Sequence, residues 1–346
     1  MPHHRDALHQ ITRVLLLSED HYDVLTRAIG DLHRLFLDIT GLDLDSLRHR
    51  ENIHLPTGKA IGPVWAALCV RELLRTKRFV RGAYLGVKSA LARFPDRPIH
   101  ILYAGTGPFA TLAMPLTTVF TPADVTFTFL EVNPESIGYL AKIVAAFQAE
   151  GYVRDVVRCD AATYRAGPGQ SIQMVISETM QNALEKEPQV AITLNLAPQL
   201  APGGIWIPQN IRIDAALLSP RRDRERIMGT GGVMDCYRVL ETIFELNKDT
   251  RGGSRDPDGT STESCSFPEV TVEIPQDVAP EYSQLFLFTT IQVFEDEWLQ
   301  PWECSLTLPK RVVKAHVATG LGAHQKVARV RFQYRMSAVP GFEVSV

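Results

Sequence analysis

The stretch IHILYAGTGPFATLAMPL (residues 99–116) decides the fold. Its first part is apolar enough for a strand buried on both faces, and it breaks at Gly105-Thr106-Gly107-Pro108 before an apolar pattern of helical period begins. Two glycines at such a junction let bare backbone approach a ligand. No lysine follows the second glycine, which excludes the phosphate loop of nucleoside triphosphate enzymes. GTGPFA does satisfy the weaker Gly-x-Gly-x-x-Ala pattern of dinucleotide sites, and Pro108 suits the first turn of a following helix.

Outward from this turn, strand and helix signals alternate. Strands are predicted at 99–103, 125–131, 153–159, 173–177 and 205–208, with helices between them. The fold class is α/β: a Rossmann-like, mostly parallel sheet with helices on both faces. An N-terminal helical region precedes it; in SEDHYDVLTRAIGDLHRLFLDI, Ser18 is the expected cap and Val24, Ile29, Leu32 and Leu35 the expected buried face. After Pro208, runs such as EVTVEI and QLFLFTTIQVF predict a C-terminal antiparallel β domain. The expected division is residues 1–96, 97–208 and 209–346. Residues 247–266, rich in Gly, Ser, Asp and Thr, read as a surface loop, as does GTGG at 229–232.

Composition narrows the function classes. With 36 basic and 39 acidic residues and a net charge of −3, the 346-residue chain has no basic surface for nucleic acid or an anionic membrane. Its five cysteines are odd in number and widely spaced, as in a reducing compartment. No membrane span or signal peptide is read, so a cytoplasmic location is expected. Seven of the ten histidines lie in the N-terminal region, but without the spacing of a ligand set, so no metal is expected.

Ligands of such sheets bind beyond the carboxyl ends of the strands, and three successive ends carry acids: Glu131 in FLEVNP, Asp160 before Ala161 in RCDAATY, and Glu178 in VISETM. A dinucleotide needs only the first. A ribose, an adenine amino group and a cationic reaction centre would occupy all three.

These residues resemble the class I S-adenosylmethionine-dependent methyltransferases, and among them the protein arginine methyltransferase branch, over roughly residues 60 to 210. That branch has two glutamates nine residues apart on a loop opening Ser-Glu-x-Met; SETMQNALEKEP puts Glu178 and Glu187 in that register. It also carries Arg-Thr-x-x-Tyr on a preceding helix, here Arg75-Thr76-Lys77-Arg78-Phe79. LAPGGIWIP (200–208) looks like the branch's entry into its fifth strand. The resemblance implies S-adenosylmethionine as cofactor, held by Arg75, Tyr103, Gly105, Thr106, Gly107, Glu131, Asp160 and Ala161. It implies Glu178 and Glu187 as the catalytic pair. The chain departs from the branch in having Ile101 and Tyr103 where an acid and a further glycine are usual, which sets the cofactor's methionine end against a phenol. FTTIQVF (288–294) stands where a Thr-His-Trp string would be sought.

Paired carboxylates can hold a planar guanidinium through charge-assisted hydrogen bonds, and one of them can take its proton. Glu185 misses the register and reads as surface charge. The expected function is therefore N-methylation of a guanidino or amino group on a small molecule or peptide, and a homodimer is compatible with it. GTGPF also looks like nicotianamine synthase, so an aminocarboxypropyl transferase is the alternative, with a non-catalytic cofactor-binding protein as a third.

Overall fold

The computed structural model describes residues 2–95, 98–233, 235–252, 254–255, 265–275, 278, 280–312 and 328–345. Among these, the helices are α1 (Pro2–Leu15), α2 (Tyr22–Thr40), α3 (Pro63–Cys69), α4 (Leu73–Arg93), α5 (Pro134–Ala146), α6 (Gln189–Leu196) and α7 (Pro220–Ile227). A parallel sheet is formed by β1 (Ile99–Ala104), β2 (Val125–Glu131), β3 (Val153–Arg158), β4 (Ile172–Ser177) and β5 (Leu200–Ile207), in the order β3-β2-β1-β4-β5. The strand order reverses at β1, which opens a crevice at the carboxyl edge between β1 and β4.

Every residue of β1 is buried because alternate side chains enter different layers. Ile101 and Tyr103 pack with Val80, Ala83 and Val87 of α4, whereas Leu102 packs with Ile192 and Leu196 of α6. Each such apolar side chain contributes about 1.5–3 kcal/mol of transfer free energy. At the sheet edge, β3 alternates poorly and exposes Arg154 and Asp155, charges that discourage pairing with another strand.

Two predicted helices are absent. Residues 107–113 form turns leading into a 3₁₀ segment, Met114–Thr118, and no α-helix joins β3 to β4. Ala110 has φ 44°, a left-handed conformation that cannot propagate a right-handed helix, so Pro108 lies in a turn. Further upstream, α2 starts after His21 and has no side-chain cap, so Ser18 is not its cap. Its buried stripe is Leu25, Ile29, Leu32 and Phe36; Leu35 is half-buried, and Val24, 38% exposed, is off the stripe. A hairpin of Ile53–Leu55 and Gly58–Ala60, not foreseen in the sequence, follows α2.

The C-terminal part is antiparallel. It contains β6 (Asn210–Leu218), β7 (Tyr237–Asn247), β8 (Val270–Ile274), β9 (Gln284–Phe294), β10 (Glu297–Leu299), β11 (Ala328–Met336) and β12 (Gly341–Ser345). One sheet runs β10-β9-β6-β7, while β8 and β12 flank β11 in another. Helix α4 lies against both the parallel sheet and β9: a Cβ on Gly86 would stand 2.9 Å from Ile207, and one on Gly82 only 2.5 Å from Val293. Some basic residues of α4 are consumed in ion pairs, Lys77 with Asp20 at 2.6 Å and Arg81 with Glu297.

Within the expected 247–266 loop, Ser254–Arg255 pairs with Cys265–Ser266, and the latter pairs with β11; residues 253 and 256–264 lie outside the described residues. The 229–232 segment is a turn after α7. Cys69, Cys159, Cys236 and Cys304 are free thiols. Among the described residues no helix is long and apolar enough to cross a membrane, and no cluster of three His, Cys, Asp or Glu residues is placed to hold a metal ion.

Candidate active site

A cavity of about 800 Å³ opens at the carboxyl edge of the parallel sheet. All ten residues singled out from sequence line it: Arg75 from α4, Tyr103, Gly105, Thr106 and Gly107 after β1, Glu131 ending β2, Asp160 and Ala161 after β3, and Glu178 and Glu187 after β4.

The glycine turn is tightly shaped. Gly105 and Gly107 have φ 72° and 60°, and a Cβ on Gly105 would fall 2.3 Å from Thr179 Cγ2. Glu131 clamps the turn: Oε2 accepts the Gly107 N–H at 2.8 Å and Oε1 accepts the Asn133 N–H at 2.8 Å. Burial raises the Glu131 pKa, and these bonds oppose the shift. Asp160 similarly bonds the Ala162 N–H through Oδ1 at 2.8 Å, which leaves Oδ2 for other contacts. Tyr103 is buried beneath the turn, where desolvation pushes its phenol well up. Because no helix follows Pro108, the turn offers no helix N-terminus to a pyrophosphate.

Elsewhere in the cavity, Arg75 of α4 is enclosed by carboxylates. Its Nε and Nη2 both meet Glu178 Oε1 at 2.5 Å, and Nη1 donates to Glu72 Oε1 at 2.8 Å. Glu72 in turn accepts the backbone N–H and the hydroxyl of Ser305, both at 2.7 Å, which ties α4 to the loop after β10. Burial drives the Glu178 pKa up while Arg75 draws it down. Glu187, only 6% exposed, is pushed up to about 7, chiefly by desolvation. Arg75 and the Gln181 side chain oppose that rise, and Glu178 adds to it.

Between the two glutamates the backbone is strained. Ala183, Leu184 and Lys186 take φ of 55°, 55° and 64°, unusual for residues with side chains. The C-terminal strands hold this shape: Thr289 Oγ1 accepts the Ala183 N–H at 2.9 Å, the Tyr334 hydroxyl donates to the Leu184 carbonyl at 2.7 Å, and the Lys186 N–H reaches the Pro340 carbonyl at 2.9 Å. FTTIQVF thus supports the loop through Thr289. Glu185 is not ordinary surface charge, because it forms an ion pair with Lys310.

Lining residues that were not foreseen include Glu72, Thr179, Gln181 and Ser305. Glu72 had a signal, since an acid three positions before an arginine shares its helix face. Ser305 had none, lying 230 positions from Arg75.

No family model matches the sequence, and no curated protein does. Among solved structures, the chain is similar to the Trypanosoma brucei PRMT1 enzyme–prozyme heterotetrameric complex with AdoHcy, at 11% identity and TM-score 0.46 over 77% of this chain and 85% of that one. It is also similar to PRMT6, at 11% identity and TM-score 0.49 over 77% and 95% of the two chains. A structure titled PRMT6-SAH gives 10% identity and TM-score 0.47 over 77% and 96%.

Proposed function

We propose that this chain is an S-adenosylmethionine-dependent N-methyltransferase acting on a guanidino or amino group of a small metabolite or peptide. One observation carries the reading: the cavity that holds a glycine turn with no phosphate-binding helix behind it also holds Glu187, which is buried, and Glu178, partly buried against Arg75.

The residues fit the cofactor. The volume of about 800 Å³ admits a nucleoside with an acceptor beside it. Gly105 and Gly107 present bare backbone, Glu131 and Asp160 keep lone pairs for hydroxyl and amino groups, and Arg75, with Nε, Nη1 and Nη2 each engaged by Glu178 or Glu72, keeps a further N–H on Nη2 for a carboxylate. When bound, the cofactor supplies a methyl group activated by a positively charged sulfur. The chain's own residues position the acceptor. Glu178 Oε1 is engaged by Arg75, so Oε2 faces the acceptor, and Glu187 takes the proton that its nitrogen gives up. A carboxyl shifted to about 7 is matched to that proton transfer near neutral pH. In this proposal residues 97–208 carry most of the cofactor site and the glutamate pair, Arg75 from 1–96 completes the cofactor site, and 1–96 and 209–346 help enclose the acceptor end.

Calorimetry with S-adenosylmethionine, S-adenosylhomocysteine and NAD tests the cofactor. Incubation with methyl-labelled cofactor and arginine, simple amines or cell extract then tests the transfer. Release of S-adenosylhomocysteine is expected; methylthioadenosine would instead establish aminocarboxypropyl transfer, and preferential NAD binding would end the methyltransferase reading.

A further inference from the structure

The hairpin of Ile53–Leu55 and Gly58–Ala60 forms a wall of the cavity that the proposed chemistry does not use. It is seated on the two-glutamate loop: the Lys59 N–H donates to the Lys186 carbonyl at 2.8 Å, and Gly58 lies so close to the backbone at Glu187 that a Cβ would approach it to 2.9 Å. This contact places Lys59 beside Glu187, and both line the same cavity.

The cavity's charges are unbalanced and sorted. Among the described lining residues, Glu72, Glu131, Asp160, Glu178 and Glu187 face two cations, Arg75 and Lys59. Arg75 is taken by Glu72 and Glu178, whereas Lys59 has no ion pair among the described residues. Asn52, on the same wall, spends its side-chain oxygen on the Gly62 N–H at 3.2 Å, so its NH₂ remains available as a donor. The hairpin wall therefore offers donors next to a wall of acceptors.

We infer that the acceptor is a free zwitterion, a guanidino or amino acid whose cationic nitrogen lies against Glu178 and Glu187 and whose carboxylate is taken by Lys59 and Asn52. This deepens the methyltransferase reading and rests on it. In a peptide the carboxylate is an amide, so Lys59 would bring no charge pairing. The field of Lys59 also favours the ionised form of Glu187, so a carboxylate bound to Lys59 and a cation bound to Glu187 complete one alternating array.

The test is acceptor binding to the full chain saturated with S-adenosylhomocysteine. The probes are ω-guanidino acids of two to six carbons and their carboxamides, with wild type, Lys59→Met and Lys59→Arg compared. The best acid is expected to bind about tenfold or more tighter than its amide. Lys59→Met should erase that ratio, and Lys59→Arg should keep most of it. The ratio is the readout because loss of Lys59 also changes Glu187, which acts on acid and amide alike. Equal binding of acid and amide by wild type would overturn the zwitterion while leaving the methyltransferase reading in place. So would a loss of S-adenosylhomocysteine affinity in Lys59→Met with the acid-to-amide ratio intact, since Lys59 would then serve the cofactor. Failure of wild type to bind S-adenosylhomocysteine at all would remove the parent reading and this inference together.

Discussion

Arg75 addresses one oxygen of Glu178 with two nitrogens at 2.5 Å, so the two glutamates of the loop are not equivalent. Glu178 is bound into the network of Glu72, Arg75 and Ser305, whereas Glu187 carries the perturbed proton. In the proposed reading, the cofactor end and the acceptor end of the cavity would meet at Glu178.

Replacing Arg75 by Met should therefore damage more than ligand affinity. It leaves Glu72 and Glu178, both partly buried, without their cation, at a cost below the ~3–5 kcal/mol of a fully buried pair. Scanning calorimetry should show a marked fall in melting temperature, together with weakened S-adenosylhomocysteine binding. A variant as stable as wild type would show that the network is open to water in solution.

Glu187→Gln should cut turnover by on the order of 2–4 kcal/mol of transition-state stabilisation while S-adenosylhomocysteine affinity stays near wild type. Glu178→Gln should lower both, because it also releases Arg75. Glu185→Gln is a poor control, since Lys310 depends on Glu185. Solvent-facing Glu150 serves instead, and Glu150→Gln should match wild type in both assays.

The raised pKa of Glu187 sets two pH dependences of known sign. Between 4.5 and about 7 the folded protein holds a proton that the unfolded chain has already released. The stabilisation from this group is present below 4.5 and is lost as pH rises through about 7. Glu187→Gln should thus match wild type in melting temperature near about pH 5 and exceed it at about pH 8. Turnover runs the other way: kcat/KM should rise with unit slope as pH approaches about 7, and the limb should vanish in Glu187→Gln. A flat wild-type profile over that range would remove Glu187 from the proton transfer.

Glu131→Ala orphans the N–H groups of Gly107 and Asn133, at about 1–3 kcal/mol each where they stay buried. The variant should melt lower even without ligand and should bind S-adenosylhomocysteine more weakly. Glu131→Gln, which keeps one acceptor oxygen, should lie between it and wild type. A ligand-free melting temperature equal to wild type would show that Glu131 does not hold the turn.

The sheet was legible because its central strands β1, β2 and β4 are apolar runs followed or ended by a glycine or an acid, and those ends converge wherever parallel strands share an edge. Val125–Glu131 was read to the residue for this reason. The helix expected after Gly107 failed because nothing in FATLAMPL marks Ala110 as left-handed; the leucine spacing suits a helix but equally suits the turns observed. The glutamate pair and Arg75 were reachable by their register with known sequences. The contacts that orient them were not, since Glu72 meets Ser305 across 233 positions and Lys59 meets Lys186 through backbone atoms that no side-chain pattern encodes.

The close packing of Gly82 and Gly86 in α4 has a consequence for dissecting the protein. Along one face the helix is a shared wall, with Val293 and Phe294 pressed on the turn at Gly82 and Met174 and Ile207 on the next turn at Gly86. A shortened version beginning at β1 would lack this wall and expose a greasy strip to solvent. One that keeps α4 but ends at β5 would bare the turn of this face at Gly82, where Val293 now sits. Truncations at either place should yield sticky, poorly expressed polypeptides rather than an autonomous nucleoside-binding unit.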